Sequence, residues 1–384
     1  MKKVRFFAAF TIFTLLCACI QVCAGQEAVT FGIIAPMTGN NIMVGEFVVN
    51  GANLAQKQIN EKGGILGKRL ELVFEDEVDN VQTSVNAMTK MLNRPEITAF
   101  FGSTYSAFCI AVSPQVLEKR ITMLAGGSSA NIPKENNPYI WQARMTDDNS
   151  GILLAKAATE TLKMKNPAIL HIADSFGTGL KDQAVAAFQR IGIEVKPNLI
   201  FAHVPDEKQF GPLLSQIRNS DADGLIAITH QMPAAVICMQ IESSGLDLPL
   251  LGSSSFNSVV ARTTAKDAAN GWYAVADWTP EVTTDSGQAF ANAYREEYKG
   301  KPDSDMPAVT AFDSVMLFAE ACRLANSTTD REAINNALAK IKAYPGAMST
   351  YTPNEFRCFA TSQFLTLNED GLAKLKEVVS VRQP

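Results

Sequence analysis

Short apolar runs rich in β-branched residues alternate along this chain with longer stretches whose apolar residues recur at helical spacing, and this alternation limits the folds it can adopt. Residues 29–35 are such a run, and a proline and a glycine close it. Residues 44–61 follow with helical spacing and end at Lys62-Gly63-Gly64. Strands separated by helices of this length pair in parallel, so the pattern predicts βαβ units. It predicts further strands at 70–75, 97–101 and 121–124, and helices at 83–92 and from about 106 to 119.

The pattern restarts after residues 144–148, and this break predicts two separate sheets. After Gly271 the remaining elements are too few for a third domain, and we expect them to complete the first two. The predicted fold class is α/β, with two Rossmann-like lobes built on parallel sheets. Strands are expected at 167–173, 194–201, 224–229, 248–251, 272–276 and near Ser349 and Phe364, and helices at 179–191, 210–219, 234–244, 288–298, 309–324 and 331–341.

Composition agrees with two compact lobes. Of the 384 residues, 47% are hydrophobic and 19% are charged, which is too apolar for a disordered chain. At about 100–200 residues per domain, this length predicts two units with sizeable cores. The net charge is −5 and no Lys/Arg-rich run follows residue 5, whereas nucleic-acid-binding proteins usually carry a basic surface. We therefore expect no nucleic-acid partner.

The first 24 residues have the features of a secretory signal peptide. Three positive charges within residues 2–5 precede an apolar stretch at 6–20 that is too short to span a bilayer comfortably. Cleavage after Ala24 is one interpretation, and a lipobox in which Cys19 is lipidated and retained is another. We favour the first because Cys17 is unusual inside a lipobox; an uncleaved membrane anchor is a third alternative. The mature protein is expected to be exported.

Four cysteines remain after cleavage at Ala24, and none forms a C-x-x-C pair. A zinc site or a thioredoxin-like redox site therefore has no support in the sequence, and we expect neither a metal nor a cofactor. In an oxidising compartment the four thiols could pair in three ways, but their wide spacing and apolar neighbours fit buried free thiols equally well. The four are Cys109, Cys238, Cys322 and Cys358.

Three predicted loops that follow strands are rich in glycine and serine. They lie at 102–106, 126–129 and 252–255. In open α/β sheets ligands bind beyond the carboxyl ends of the strands, where free backbone N–H groups and small hydroxyl residues suit an anion. Ser106, at a predicted helix start, is suited to a carboxylate. The alternative is that these serines only cap their helices.

Residue patterns that would indicate an enzyme are weak. Of the three histidines, His171 is expected in the core, His203 in solvent, and His230 at a strand end on the ligand side. The chain has no G-x-S-x-G motif, no P-loop and no complete dinucleotide-binding glycine motif. We therefore expect no catalytic residues and no enzymatic activity.

Several stretches resemble the leucine/isoleucine/valine-binding protein family. They are Phe31-Gly32-Ile33-Ile34-Ala35-Pro36-Met37-Thr38-Gly39, then Gly51-Ala52, and the segment from Ile59 to Leu70 that contains Gly63-Gly64. The resemblance covers essentially the whole mature chain. It implies the solute-binding component of a branched-chain amino acid ABC transporter: a periplasmic, monomeric protein with the type I periplasmic binding fold and a membrane permease as partner.

The resemblance also implies a division into lobes and a mechanism. Three crossovers would join the lobes, the ligand would lie between them, and binding would close a hinge near residues 144–148. The first lobe would hold residues 28–147 plus 277–352. The second would hold residues 148–276 plus 353–384.

Family binding positions can be assigned to individual residues. Ser106 corresponds to the serine that grips the ligand carboxylate, and Gly127 and Ser129 to the next loop, which holds carboxylate and ammonium. Phe176 corresponds to an aromatic residue, and His230 stands where the family has a tyrosine. An aromatic lid residue is replaced by Val44. The predicted ligand-binding residues are Tyr105, Ser106, Gly127, Ser128, Ser129, Phe176, His230 and Ser254.

One departure bears on the ligand. The acidic residue that pairs with the ligand ammonium is replaced by Ser254, and a buried ammonium without a compensating anion costs several kcal/mol. One hypothesis is therefore a small or aromatic carboxylate, a keto acid or an amide. The competing hypothesis keeps an amino acid and takes the anion from Asp147 or Asp277.

Three functions follow as hypotheses. A transport binding protein is favoured. A ligand-sensing receptor subunit that feeds a membrane kinase or chemoreceptor is the alternative, and a secreted enzyme is the third.

Overall fold

The computed structural model describes residues 28–78, 80–359 and 363–379; the predicted signal peptide at 1–24 and its alternative site at Cys19 lie outside them. The first sheet in this part of the chain has five strands: β1 (Ala28–Ala35), β2 (Arg69–Asp76), β3 (Ile97–Gly102), β4 (Thr122–Ala125) and β5 (Ile140–Gln142). All five are parallel, in the order β2-β1-β3-β4-β5. The order reverses between β1 and β3, so a crevice opens at the carboxyl ends of these strands.

Amphipathic helices cover the first sheet. They are α1 (Ile42–Glu61), α2 (Val81–Leu92) and α3 (Ser106–Lys119), followed later by α10 (Asp285–Glu297), α11 (Met306–Ala325) and α12 (Arg331–Leu338). Local sequence sets several of their ends. For example, the Asn80 side chain accepts a hydrogen bond from the Thr83 N–H and so caps α2. The late helices return to this sheet, as the sequence predicts.

The second sheet has seven strands among the described residues: β6 (Pro167–Ile172), β7 (Ile200–His203), β8 (Gly224–Ile228), β9 (Leu250–Gly252), β10 (Tyr273–Ala276), β13 (Gln363–Glu369) and β14 (Leu372–Val379). Their order is β14-β13-β10-β9-β8-β6-β7. The first five in sequence are parallel, as predicted, and β13 and β14 add an antiparallel edge to this sheet. Only Asp370-Gly371 joins β13 to β14, and both residues have positive φ, as a tight hairpin requires.

A short antiparallel pair precedes this hairpin in the sequence. It consists of β11 (Tyr344–Pro345) and β12 (Thr350–Tyr351), each only two residues long. The pair accounts for the strand that the sequence predicts near Ser349.

One predicted strand of the second sheet is too long and one helix begins earlier than predicted. Residues 194–201 do not form a strand throughout, since a short helical turn occupies Pro197–Leu199 and Pro197 has no N–H for a sheet ladder. Asp174 accepts the Gly177 N–H at 2.7 Å, which starts the next helix at Ser175.

The helices around the second sheet are α4 (Asp147–Lys156), α5 (Ser175–Arg190), α6 (Gly211–Arg218), α7 (Gln231–Ser244), α8 (Ser254–Asn257) and α9 (Val259–Ala265).

The chain passes between the two sheets three times: after β5, after β10, and again before β13. A buried network joins these passages. Arg144 forms an ion pair with Asp277, and both side chains are buried. The Gln363 amide donates to Asp277 at 3.2 Å and to the Ser150 hydroxyl at 2.6 Å. The assignment of individual residues to lobes, at 28–147 plus 277–352 and 148–276 plus 353–384, stays a prediction.

The four cysteines of the described region are buried free thiols, so the structure favours that alternative over disulfides. Burial raises the pKa of each thiol to about 12, which keeps it protonated. Within the described ranges no group of three or more His, Cys, Asp or Glu side chains is placed to hold a metal ion. No helix there is both long and apolar enough to cross a bilayer.

Candidate functional site

Two adjoining cavities lie where loops of the first sheet meet helices of the second. The larger spans about 340 Å³ and the smaller about 230 Å³ of space not filled by atoms, and both figures include space open to solvent. They share Ser128, Arg144, Phe176 and Ser254, so they form one continuous cleft. The larger is also lined by Thr104, Tyr105, Ser106, His230, Gln231, Ser255 and Met306, and the smaller by Asp147, Ser150, Leu154, Leu180, Ser253 and Val275.

The loop after β3 supplies the hydroxyl groups on one side of the larger cavity. Ser106 is buried as the first residue of α3, and its Oγ accepts the Ser129 N–H at 3.1 Å, which leaves the hydroxyl proton to donate. Thr104 Oγ1 is buried and has no hydrogen-bond partner among the described residues. The free N–H groups of the first turn of α3 add positive character, so this side of the cavity suits an anion.

The loop after β4 divides into residues that line the cleft and residues that support it. Ser128 lines both cavities. Gly127 and Ser129 are not among the lining residues, and the Gln142 amide donates to both of their carbonyls. Gly127 packs so closely that a Cβ there would lie 2.8 Å from the Ser106 Cα. The Ser129 hydroxyl donates to the Ser175 carbonyl at 3.1 Å, a contact between the first-sheet loop and α5.

Aromatic rings from helix starts that follow strands of both sheets close the other side of the larger cavity. The His230 ring stacks on Phe176 at 5.3 Å between ring centres, and Tyr105 meets it edge-on at 5.1 Å. His230 Nε2 lies 2.7 Å from Asp174 Oδ2. Burial alone would raise the pKa of Asp174, but its contacts with His230 and the Gly177 N–H outweigh burial and lower it. The pair therefore fixes the ring at the cleft.

The other two histidines lie away from the cleft. His171 is buried in β6, in the core as predicted. His203 was predicted in solvent, but this is wrong, since only 3% of it is exposed. His203 is the last residue of β7. Its ring packs edge-on against Phe210, and its Nδ1 lies 2.8 Å from the Val204 carbonyl oxygen. Val44 likewise lies in α1 and the core rather than in a lid over the cleft.

Charged groups line the smaller cavity, and the sequence had offered one of them, Asp147, alongside Asp277 as the alternative partner for a ligand ammonium. Arg144 lines both cavities while paired with Asp277. Asp147 is 1% exposed, and neither carboxylate oxygen has a hydrogen bond of ordinary geometry to a described residue. Burial raises the pKa of Asp147 to about 7, and the nearby Ser128 hydroxyl and Arg144 charge oppose this only in part.

Several lining residues were missed by the sequence analysis. Thr104 lies within the predicted loop at 102–106 but was not assigned a role of its own, and Gln231 directly follows the predicted site residue His230. Arg144 follows β5, a strand too short to stand out in the sequence. Ser255 falls within the predicted loop at 252–255, whereas no local signal distinguishes Met306 from an ordinary helix residue.

Comparison with known proteins gives the chain a context. A family model described as periplasmic binding protein matches residues 28–367. Leu/Ile/Val-binding protein BraC3 of Rhizobium johnstonii is 26% identical over 328 residues, which cover 85% of this chain and 88% of that protein.

Two solved structures are similar at the level of the fold. One is the branched-chain amino acid transporter substrate binding protein LivJ from Streptococcus pneumoniae, in complex with isoleucine. It has a TM-score of 0.83, 21% identity and coverage of 92% of this chain and 99% of that one. The other is an ABC transporter solute binding protein from R. palustris, in complex with benzoate. It has a TM-score of 0.83, 17% identity and coverage of 92% and 96%.

Proposed function

This chain belongs to the periplasmic binding protein family, and from that premise we propose that it is the solute-binding component of an ABC importer, which captures a small carboxylate-bearing ligand in its cleft. The observation that carries the proposal is the larger cavity itself. Ser106 and Thr104, at the start of α3, face Phe176 and His230 of the second sheet across it. The protein acts in the periplasm as a monomer and delivers its ligand to a membrane permease.

The ligand carboxylate lies at the start of α3. Ser106 donates its hydroxyl proton there, Thr104 offers a second hydroxyl, and the helix N-terminus contributes free N–H groups. BraC3 is named for leucine, isoleucine and valine, and the two similar structures hold isoleucine and benzoate. All of these ligands bear a carboxylate, which supports the same chemistry here.

The ligand's remaining atoms contact the aromatic wall of Tyr105, Phe176 and His230. This wall draws on both sheets, so a ligand held against it favours the conformation in which the two sides meet. The division of the chain at 28–147 plus 277–352 and 148–276 plus 353–384 places Tyr105 in the first lobe and the other two rings in the second. Binding and closure are thus one event.

Thermal-shift measurements on the mature chain, refolded to remove any co-purified ligand, test the proposal. We expect at least one small carboxylate to raise the melting temperature, and its carboxamide or alcohol counterpart to have no effect. Ser106→Ala should weaken binding of that carboxylate by about 1–3 kcal/mol in calorimetry, the range for losing a hydrogen bond to a charged group.

Ser243→Ala, which removes an exposed hydroxyl on α7, is the matched control and should bind as the wild type does. A chain that responds to no carboxylate, or equally to the neutral counterparts, would contradict the proposed function.

A further inference from the structure

We propose that Asp147 receives a cationic nitrogen of the ligand, so that this cleft selects α-amino acids over the corresponding acids that lack the amine. The inference rests on the proposed function, which specifies only that the ligand bears a carboxylate. It assigns the binding of the ligand ammonium to Asp147, the first residue of α4, instead of to the family position that Ser254 occupies here.

The first argument is the state of the Asp147 side chain. It is 1% exposed, it lines the smaller cavity, and neither of its carboxylate oxygens has a partner of ordinary geometry among the described residues. Buried carboxylates in folded proteins are normally paired or hydrogen-bonded, because an unpaired one loses its hydration without compensation. A cation bound in the cavity would supply that compensation.

The second argument is that the nearest cation does not supply it. Arg144 lines the same cavity, but its guanidinium forms the buried ion pair with Asp277. Asp277 is held in turn by the Gln363 amide at 3.2 Å. Arg144 and Asp277 therefore cancel each other, and ionised Asp147 leaves one uncompensated negative charge in the cleft. Asp277 is excluded as the acceptor because it already has its cation.

The third argument is position. Ser128 lines both cavities, and its carbonyl accepts the Asp147 N–H at 2.9 Å. Asp147 thus lies beside a residue that also lines the carboxylate-binding side of the cleft, so one small ligand can reach both. Ser254, which also lines both cavities, offers a neutral hydroxyl only.

The fold alone does not decide between the two ligand classes, because the isoleucine-bound and the benzoate-bound proteins superpose on this one with the same TM-score of 0.83. The distinction therefore depends on this chain's own side chains. Burial raises the pKa of Asp147 to about 7, so near neutral pH an arriving ammonium can convert it fully to the carboxylate.

Calorimetric titrations on the refolded mature chain test the inference. The probes are the proteinogenic amino acids, each paired with its keto acid and its deaminated acid, together with benzoate. We expect the amine-bearing member of any binding pair to bind more tightly. Asp147→Asn should weaken that member by about 30-fold or more while leaving the acid without amine nearly unchanged. Asp148→Asn, which removes the adjacent exposed carboxylate, is the matched control and should leave the preference intact.

Proton exchange gives a second readout. At about pH 6.5, titrations in buffers of different ionisation enthalpy should show proton release on amino-acid binding, since Asp147 is partly protonated when free and ionised beside an ammonium. The other titratable groups near this cleft are His230, Asp174, Asp277 and Asp148. Release should vanish in Asp147→Asn.

The outcomes separate the two proposals. Acids without an amine that bind as tightly as the amino acids overturn the inference and leave the proposed function standing. So does an amine preference, or a proton release, that survives Asp147→Asn. Failure of every carboxylate to bind overturns both.

Discussion

Two buried aspartates of this protein meet very different surroundings. Asp313 accepts hydrogen bonds from the N–H groups of Ala347 and Met348 and from the Tyr351 hydroxyl, at 2.7–2.8 Å. Burial still raises its pKa, to about 6. Asp147 has no hydrogen bond of ordinary geometry to a described residue, and the nearby Ser128 hydroxyl and Arg144 charge only partly oppose burial, which raises its pKa to about 7. The Asp313 carboxylate therefore stabilises local structure. The ionised Asp147 carboxylate instead lowers the folding stability of the ligand-free protein.

That cost predicts that Asp147→Asn stabilises the ligand-free protein at alkaline pH. The pKa is about 3.9 in the unfolded chain and about 7 in the folded one, so the unfolded state loses its proton first. Ionisation of Asp147 therefore lowers the stability of the wild type as pH rises from 4 to 7, by up to about 4 kcal/mol at about 1.4 kcal/mol per pKa unit. The Asp147→Asn variant avoids this loss because its amide does not ionise.

Urea unfolding of both proteins at pH 8 and pH 5 checks the prediction. The advantage of Asp147→Asn should be largest at pH 8 and shrink toward pH 4, with Asp148→Asn close to wild type throughout. An equal difference at both pH values would mean that ionisation is not its cause.

Between elements, the contact of α1 with α11 depends on a glycine in the middle of α1. Helices α1 and α11 approach so closely that a Cβ at Gly51 would lie 1.9 Å from the Ala308 carbonyl oxygen. A backbone oxygen cannot move aside as a flexible side chain can. The glycine at 51 is therefore required by packing, although glycine is a poor helix former.

We expect Gly51→Ala to destabilise the protein by about 3 kcal/mol or more, because the two helices must separate. Gly211→Ala is the matched control, since a Cβ there meets nothing within 4 Å and its φ is not positive. Chemical denaturation measures both. A Gly51→Ala variant as stable as the Gly211→Ala variant would refute the close approach of α1 and α11.

Across the whole molecule, the three passages between the sheets meet at the network of Arg144, Asp277 and Gln363. Each of these residues belongs to a different passage, and all three are buried. We therefore expect any motion of one sheet relative to the other to take place around this network. The cleft lies beside it, since Arg144 lines both cavities.

We expect small-angle scattering to show a smaller radius of gyration when the refolded chain is saturated with the probe that gives the largest thermal shift. The reason is that a ligand in contact with both walls of the cleft favours the closed state. An unchanged radius under saturating probe would argue against closure around residues 144–148.

Much of the fold was predictable because its signals are local. Helix spacing, β-branched runs and glycine stops located most strands and helices to within a few residues. The antiparallel hairpin was missed although Asp370-Gly371 is a recognised turn signal between strands. Of the predicted site residues, six line the cleft, while Gly127 and Ser129 support it from positions that only packing defines.

By itself the sequence determined the alternation of strands and helices, the two sheets, and the hydroxyl-rich loops after the strands, because these depend on residues a few positions apart. Only the tertiary structure decided which charges compensate one another. Arg144 and Asp277 are 133 positions apart, and the Asp277–Gln363 contact spans a further 86. Their pairing, and with it the isolation of Asp147, exists only after folding brings distant loops together and removes them from water, where an unpaired charge becomes expensive.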